Sequence, residues 1–121
     1  NNAATPMSNP TVSKVSIYGR GVAEGKDAIK LREGTAVNLS NVYIQDAKDG
    51  IDIQHDVTVA NVTAGTFQVS NITTSNVTND WVVAATVGTD STNAANLGTT
   101  AVNGNGTGAD SGWTSGWTRD L

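Results

Sequence analysis

Two short patterns alternate three times along this chain. "SKVSI" at 13–17, "SNVYI" at 40–44 and "SNITT" at 70–74 form one set, at offsets of 27 and 30 residues. "KDAIKL" at 26–31, "KDGIDI" at 48–53 and "NDWVVA" at 79–84 form the other, and each copy follows its partner in the same order. Within the segments Val15 and Ile17, Val42 and Ile44, Ile29 and Leu31, and Ile51 and Ile53 alternate with polar residues, the two-residue period of a half-buried strand. Gly and Asn punctuate the gaps, as in "YGRGVAEG" and "REGT". A repeat of this length cannot bury its own apolar face and must stack on its neighbours. The expectation is an all-β right-handed parallel β-helix, a solenoid of about three coils over residues 1–88.

The copies are unequally spaced. After "KDGIDI" comes an extra "VTVANVTAG", whose alternation reads as an added strand, a third face of the coil. From Thr89 onward Gly, Thr, Asn and Ser dominate, a composition that buries too little surface to order itself alone. Residues 89–121 are therefore expected to be a C-terminal capping tail held against the last coil by Trp113 and Trp117. Such a cap covers an edge that would otherwise invite aggregation.

Composition supports strands, because Asn, Thr, Val, Ala and Gly abound while Leu occurs only at 31, 39, 97 and 121. The 121 residues suit one domain. A net charge of −4, with basic residues that read as scattered, argues against a nucleic-acid partner. There is no cysteine, hence no disulfide or thiolate zinc site. No apolar run approaches the roughly 20 residues that span a bilayer. The opening "NNAATPMSNP" has neither an initiator Met nor a signal-peptide core, so the chain reads as a fragment or a processed product.

"SNPTVSKVSIYGRG", "KDGIDIQHD" followed by "VTNDW", and the closing "GWTSGWT" resemble the C-terminal coils of secreted parallel β-helix surface proteins of Bacteroidetes-type bacteria, from about Ala4 to Trp117. The resemblance implies an extracellular or outer-membrane location on a Gram-negative cell. It also implies upstream coils of the same protein, or an outer-membrane complex, as partners. "DST" at 90–92 is similar to the O-glycan acceptor motif of such bacteria, with Ser91 as the central hydroxyl. The N-x-S/T triplets at Asn38, Asn61, Asn71, Asn76 and Asn105 arise from the strand repeats themselves.

Aligning the second set of repeats stacks Asp27, Asp49 and Asp80, with Lys26, Lys48 and Asn79 beside them. Like charges opposed on neighbouring strands destabilise. The row therefore calls for the adjacent lysines, or for a hard cation such as Ca²⁺ with six to eight oxygen ligands. The same alignment sets Lys30 against Asp52, Arg32 against Gln54 and Glu33 against His55, all facing out. It sets Trp81 in the row of Ala28 and Gly50. Trp81, Trp113 and Trp117 are packing residues or, with glycan as ligand, aromatic platforms. His55 with flanking carboxylates meets only part of what a hydrolytic site requires. "GRGVAEG" is a strand connection, since it lacks the Lys-Ser/Thr of a phosphate cradle. The expected role is non-enzymatic, with no resident cofactor: a structural, adhesive or glycan-binding module of an exported protein. The alternative is the end of a β-helical polysaccharide lyase or hydrolase whose catalytic coils lie upstream. For catalysis within this chain, the precedent of β-helix lyases would cast Arg20, Lys30 and Arg32 as bases and Asp49 and Asp52 as Ca²⁺ ligands, but the sequence carries no lyase signature.

Overall fold

The computed structural model of the chain describes residues 4–85 and 88–110. Four strands, β1 (Thr11–Tyr18), β2 (Asp27–Leu31), β3 (Val37–Ile53) and β4 (Phe67–Val83), form one sheet in which every pairing is parallel. β3 carries the others. β1 and β2 pair in turn with its first and second halves along one edge, and β4 pairs along its whole length on the other. β1 with β2 makes a first layer, β3 a second and β4 a third.

A straight 17-residue strand would run about 56 Å at roughly 3.3 Å per residue. β3 does not run straight, and its burial pattern records the bends. Leu39 and Val42 are both buried although three apart, as are Ile44 and Ala47, positions that strict alternation would send to opposite faces. The phase slips at Asn41 and Asp46, each with φ of 59°. Asn and Asp tolerate this left-handed region better than other side-chain-bearing residues. The register places Lys14 and Asn71 beside Asn41, and Asn76 beside Asp46, and all three also have positive φ. The corners thus form rows running through the layers, and Asn76 Nδ2 donates to Asp46 Oδ1 at 2.7 Å.

Between the corners the apolar rows stack in register: Val12–Leu39–Val69, Val15–Val42–Ile72, Ile29–Ile51–Trp81 and Leu31–Ile53–Val83. Val42, Ile44, Ile51, Ile53 and Ile72 are wholly buried, each contributing about 1.5–3 kcal/mol.

The unequal repeat lengths resolve at the connections. The β3-to-β4 offset is 30 residues throughout, against 22 between β2 and β3, and the eight-residue α1 (Asp56–Thr63) accounts for the difference. The expected strand "VTVANV" is therefore a helix. Its cause is the turn at Gly34–Thr35, whose backbone lacks strand partners. Thr58 and Asn61, three apart and so on one helix face, supply them. The Gly34 amide donates to Thr58 Oγ1 at 2.9 Å, and Asn61 Nδ2 donates to the carbonyls of Gly34 and Thr35 at 3.0 and 3.1 Å.

Within the segment expected to be a capping tail, Gly88–Ala101 is a helix, α2, which the composition did not suggest. Its buried Ala94, Gly98 and Ala101 form a stripe of small residues at spacings of four and three, and these let the helix approach β4 and α1 closely. Trp81 fixes the contact: its Nε1 donates to the Ala94 carbonyl at 3.0 Å, and a Cβ on Gly98 would lie 2.5 Å from the indole.

Residues 102–110 then run back across all three layers as a strap along the first corner row. Asn103 Nδ2 donates to Asn71 Oδ1 at 3.1 Å and the Gly104 amide to the Ile72 carbonyl at 3.0 Å. One layer on, the amide and hydroxyl of Thr107 both donate to Asn41 Oδ1, at 2.7 and 3.0 Å. At the first layer the Ala109 amide donates to Ser16 Oγ at 2.9 Å and Lys14 pairs with Asp110 at 3.0 Å. Gly106 is buried, and the strap can approach this closely only with glycine there, because a side chain would strike the Val42 carbonyl. Trp113 and Trp117 lie outside the described residues.

Replacing Asn41 separates its two tasks. Asn41→Gly keeps the corner and loses the strap, at an expected cost of about 1 kcal/mol in urea unfolding. Asn41→Ala should lose roughly 1–2 kcal/mol more, because alanine resists the left-handed corner.

Candidate functional site

The densest set of charged side chains lies where the second repeat set stacks. Asp27 is in register with Asp49 as expected, but the third member of the row is Asn79. Asp80 falls beside Gly50, and Trp81 continues the Ile29–Ile51 row instead of the Ala28–Gly50 row. Aligning the copies on their shared aspartate shifts the third by one residue from the 30-residue offset that "SNVYI" and "SNITT" already define. The carboxylate in doubt is thus replaced by an amide. Asn79 Nδ2 donates to Asp49 Oδ1 at 2.7 Å, which relieves the like-charge contact that a third aspartate would impose.

Lys30 binds the row to its neighbour. Its Nζ is 2.8 Å from Asp27 Oδ2 and 3.4 Å from Asp52 Oδ2, in the next layer, so the expected cross-layer facing of Lys30 and Asp52 is present. Asp27 and Lys30 are three apart, and a straight strand would place them on opposite faces. The paired register skips Ala28 and its counterpart Gly50. At Gly50 a Cβ would stand 2.6 Å from the Asp80 carbonyl oxygen. Lys48 Nζ stands 3.6 Å from Asp49 Oδ2, and Gln54 Nε2 donates to Asp52 Oδ2 at 2.7 Å. Asp52 is 5% exposed, and its Oδ1 is buried without a hydrogen bond.

The hydrogen bond from the Lys30 ammonium holds the Asp27 carboxyl below its ordinary value of 3.8, against an opposing effect of burial. The same bond raises Lys30 above 10.5. Asp46 is held low by donation from Asn76, then from Gln45. The Glu33 amide donates to His55 Nδ1 at 3.0 Å, and Glu33 Oε1 stands 3.6 Å from the same nitrogen. Arg32 stands near Gln54 as expected, since the Gln54 amide donates to the Leu31 carbonyl. Arg20 flanks the turn at Val22–Glu24 and does not join Lys30 and Arg32 in a common cleft.

Among the described residues no three acidic or histidine side chains close on a common point, and Asp27, Asp49 and Asp52 each already face an ammonium or amide group. Trp81 borders a groove of about 610 Å³ between β4 and α2, lined also by Asn79, Asp80, Gly98 and Thr99. Ser91 lies in the first turn of α2, where its hydroxyl donates to the Ala85 carbonyl at 2.9 Å.

Parallel strands stacked in register, with turning corners and an apolar interior, define a parallel β-helix protein. The chain belongs to the pectate-lyase-like β-helix domain family, whose family model matches residues 1–118. No curated protein and no solved structure matches it.

Two outcomes check the ladder. The depressed carboxyls of Asp27 and Asp46 contribute stability that is present above about 3.8 and lost as pH falls through their lower folded values, whereas the Lys30 contribution is lost only as pH rises beyond 10.5. Urea midpoints should therefore be flat from about pH 5 to 9 and fall in acid. The acid fall should be smaller in the double variant Asp27→Asn, Asp46→Asn. Gly50→Ala should cost about 1–3 kcal/mol at any pH, because its Cβ meets backbone.

Proposed function

We propose that the chain is the closing segment of a longer parallel β-helix, and that it serves as a non-enzymatic structural or adhesive part of an exported bacterial surface protein. On this reading the three layers are three coils of a right-handed solenoid. The observation that carries it is the difference between the two ends of one apolar row: Val12 is 37% exposed, while Leu39 is 5% and Val69 6% exposed. On the third coil α2 packs against β4 through Trp81 and acts as the cap. The first is left as a surface for another coil. The solenoid reading draws further support from family membership and from the corner rows.

The non-enzymatic reading is supported by what the charged groups do. Asp49, Asp52 and His55 are engaged by neighbouring coils, in contacts that hold register, and Asp27 is engaged by Lys30 of its own strand. A glycan, if the module adheres to one, would meet the Trp81 groove. Export to the outer surface of a Gram-negative cell belongs to the same proposal, as does glycosylation at Ser91.

Hydrogen exchange tests the end-segment reading: amides of β1 and β2 should exchange at least about tenfold faster than those of β3, and equal protection would defeat it. Incubation with polygalacturonate and Ca²⁺ tests the rest. No unsaturated oligosaccharide should appear, and its steady release would overturn the non-enzymatic role.

A further inference from the structure

We propose that the open edge of the first layer docks a β-layer whose rim is acidic, and that its own basic rim selects that partner. The inference rests on the end-segment reading and names the chemistry of what lies beyond it. β1 and β2 pair with β3 on one edge, and among the described residues the opposite edge has no strand partner. Val15, Ile17, Ile29 and Leu31 are half-buried there, whereas Val42, Ile44, Ile51 and Ile53, directly beneath them, are fully buried. An apolar row that ends at solvent in this way lacks one layer.

Charge says which layer fits. The basic residues are not scattered once folded. Lys14, Arg20, Lys26, Lys30 and Arg32, five of the seven Lys and Arg, belong to the first layer and its connections, and all five are exposed. Only three of the eleven acidic residues, Glu24, Asp27 and Glu33, accompany them. From residue 34 to residue 110 the balance reverses, with seven aspartates against Lys48 alone. Lys14 and Lys30 are held by carboxylates, while Arg20, Lys26 and Arg32 have no ion pair among the described residues. The contact between the first two layers already uses this chemistry, since Lys30 reaches down to Asp52.

A second copy of this chain is a poor occupant. Two first-layer edges facing each other would oppose their basic rims, and like charges across paired strands destabilise. Stacking head to tail is blocked because α2 packs over β4. The partner is therefore a different β-layer, with carboxylates opposite Arg20, Lys26 and Arg32. It brings backbone pairing to the edge and apolar side chains to the open row.

The test reverses the rim of the 121-residue chain. The triple variant Arg20→Glu, Lys26→Glu, Arg32→Glu has the acidic edge that the wild type is inferred to seek. By light scattering with size-exclusion chromatography at low salt, each protein alone should run as a monomer. The equimolar mixture should show a species of doubled mass that disappears near 1 M salt, where screening acts within about 3 Å. A mixture that stays monomeric up to about 100 µM, or wild type that dimerises equally well alone, would overturn the inference. Should the triple variant fail to fold, wild type is titrated with a peptide of residues 37–53. Shifts at the β1 amides that vanish when Asp46, Asp49 and Asp52 of the peptide become Asn support the inference, and their absence defeats it. Fast exchange at β1 without a complex in the mixture sinks this inference alone, whereas slow exchange at β1 sinks the end-segment reading with it.

Discussion

The parallel pairing of β3 along both of its edges is the constraint on which the rest of the molecule depends. It fixes which residue of each layer stands over which, and every other interaction is read off that register. Because the side-chain period of a strand is two, a slip of one residue would turn the stacked apolar rows outward and bring charged residues in. The corner residues oppose such a slip. Left-handed backbone at Asn41 and Asn71, and again at Asp46 and Asn76, must coincide in neighbouring layers for the strands between them to pair. Asn76 bonded to Asp46, and Asn79 bonded to Asp49, add side-chain contacts that only one register satisfies.

Electrostatics follows from the same geometry. Parallel stacking in register brings each residue close to its counterparts one layer up and down, so a repeated aspartate becomes a line of like charge. This chain breaks the line with Asn79, clamps its first two members with Lys30 and Lys48, and leaves one oxygen of Asp52 without a partner. The ion pairs each join a largely buried carboxylate to a half-exposed lysine, where solvent screening limits their contribution to global stability. Their stronger effect is on specificity, because a shifted layer would set Asp49 and Asp27 against groups that repel them or leave them unpaired.

Much of the layered core was legible from sequence. The alternating pairs from Val15 to Ile53, the facing of Lys30 and Asp52, and the pairing of Glu33 with His55 follow from repeat offsets alone. The third copy was misaligned because "KDG" and "ND" share an aspartate, and a chemically attractive match outweighed a consistent spacing. α1 was misread because Val and Thr alternating over six residues satisfy a strand pattern. The demand that made it a helix came from backbone groups at Gly34 and Thr35, far away in sequence. In α2 the signal was present, Ala94, Gly98 and Ala101 at helical spacing, but small residues resemble a loop until an indole is there to pack on them. The gathering of basic residues in the first layer was countable in the sequence, yet meant nothing until the layers were known.

The strap bears on how the fold responds to force. Asp110 and Lys14 bring the far end of the described chain back to the layer where the first strand begins. Tension applied between those two points bears on the strap before the pairing of β1 with β3 can give way. It would lift residues 102–110 away contact by contact, first from Ser16, then from Asn41, then from Asn71, while the backbone pairing beneath stayed loaded only after the last had gone. Peeling breaks a few hydrogen bonds at a time, whereas shearing a parallel pair breaks many together. The strap would thus behave as a mechanical fuse, yielding at low force and sparing the layers it crosses.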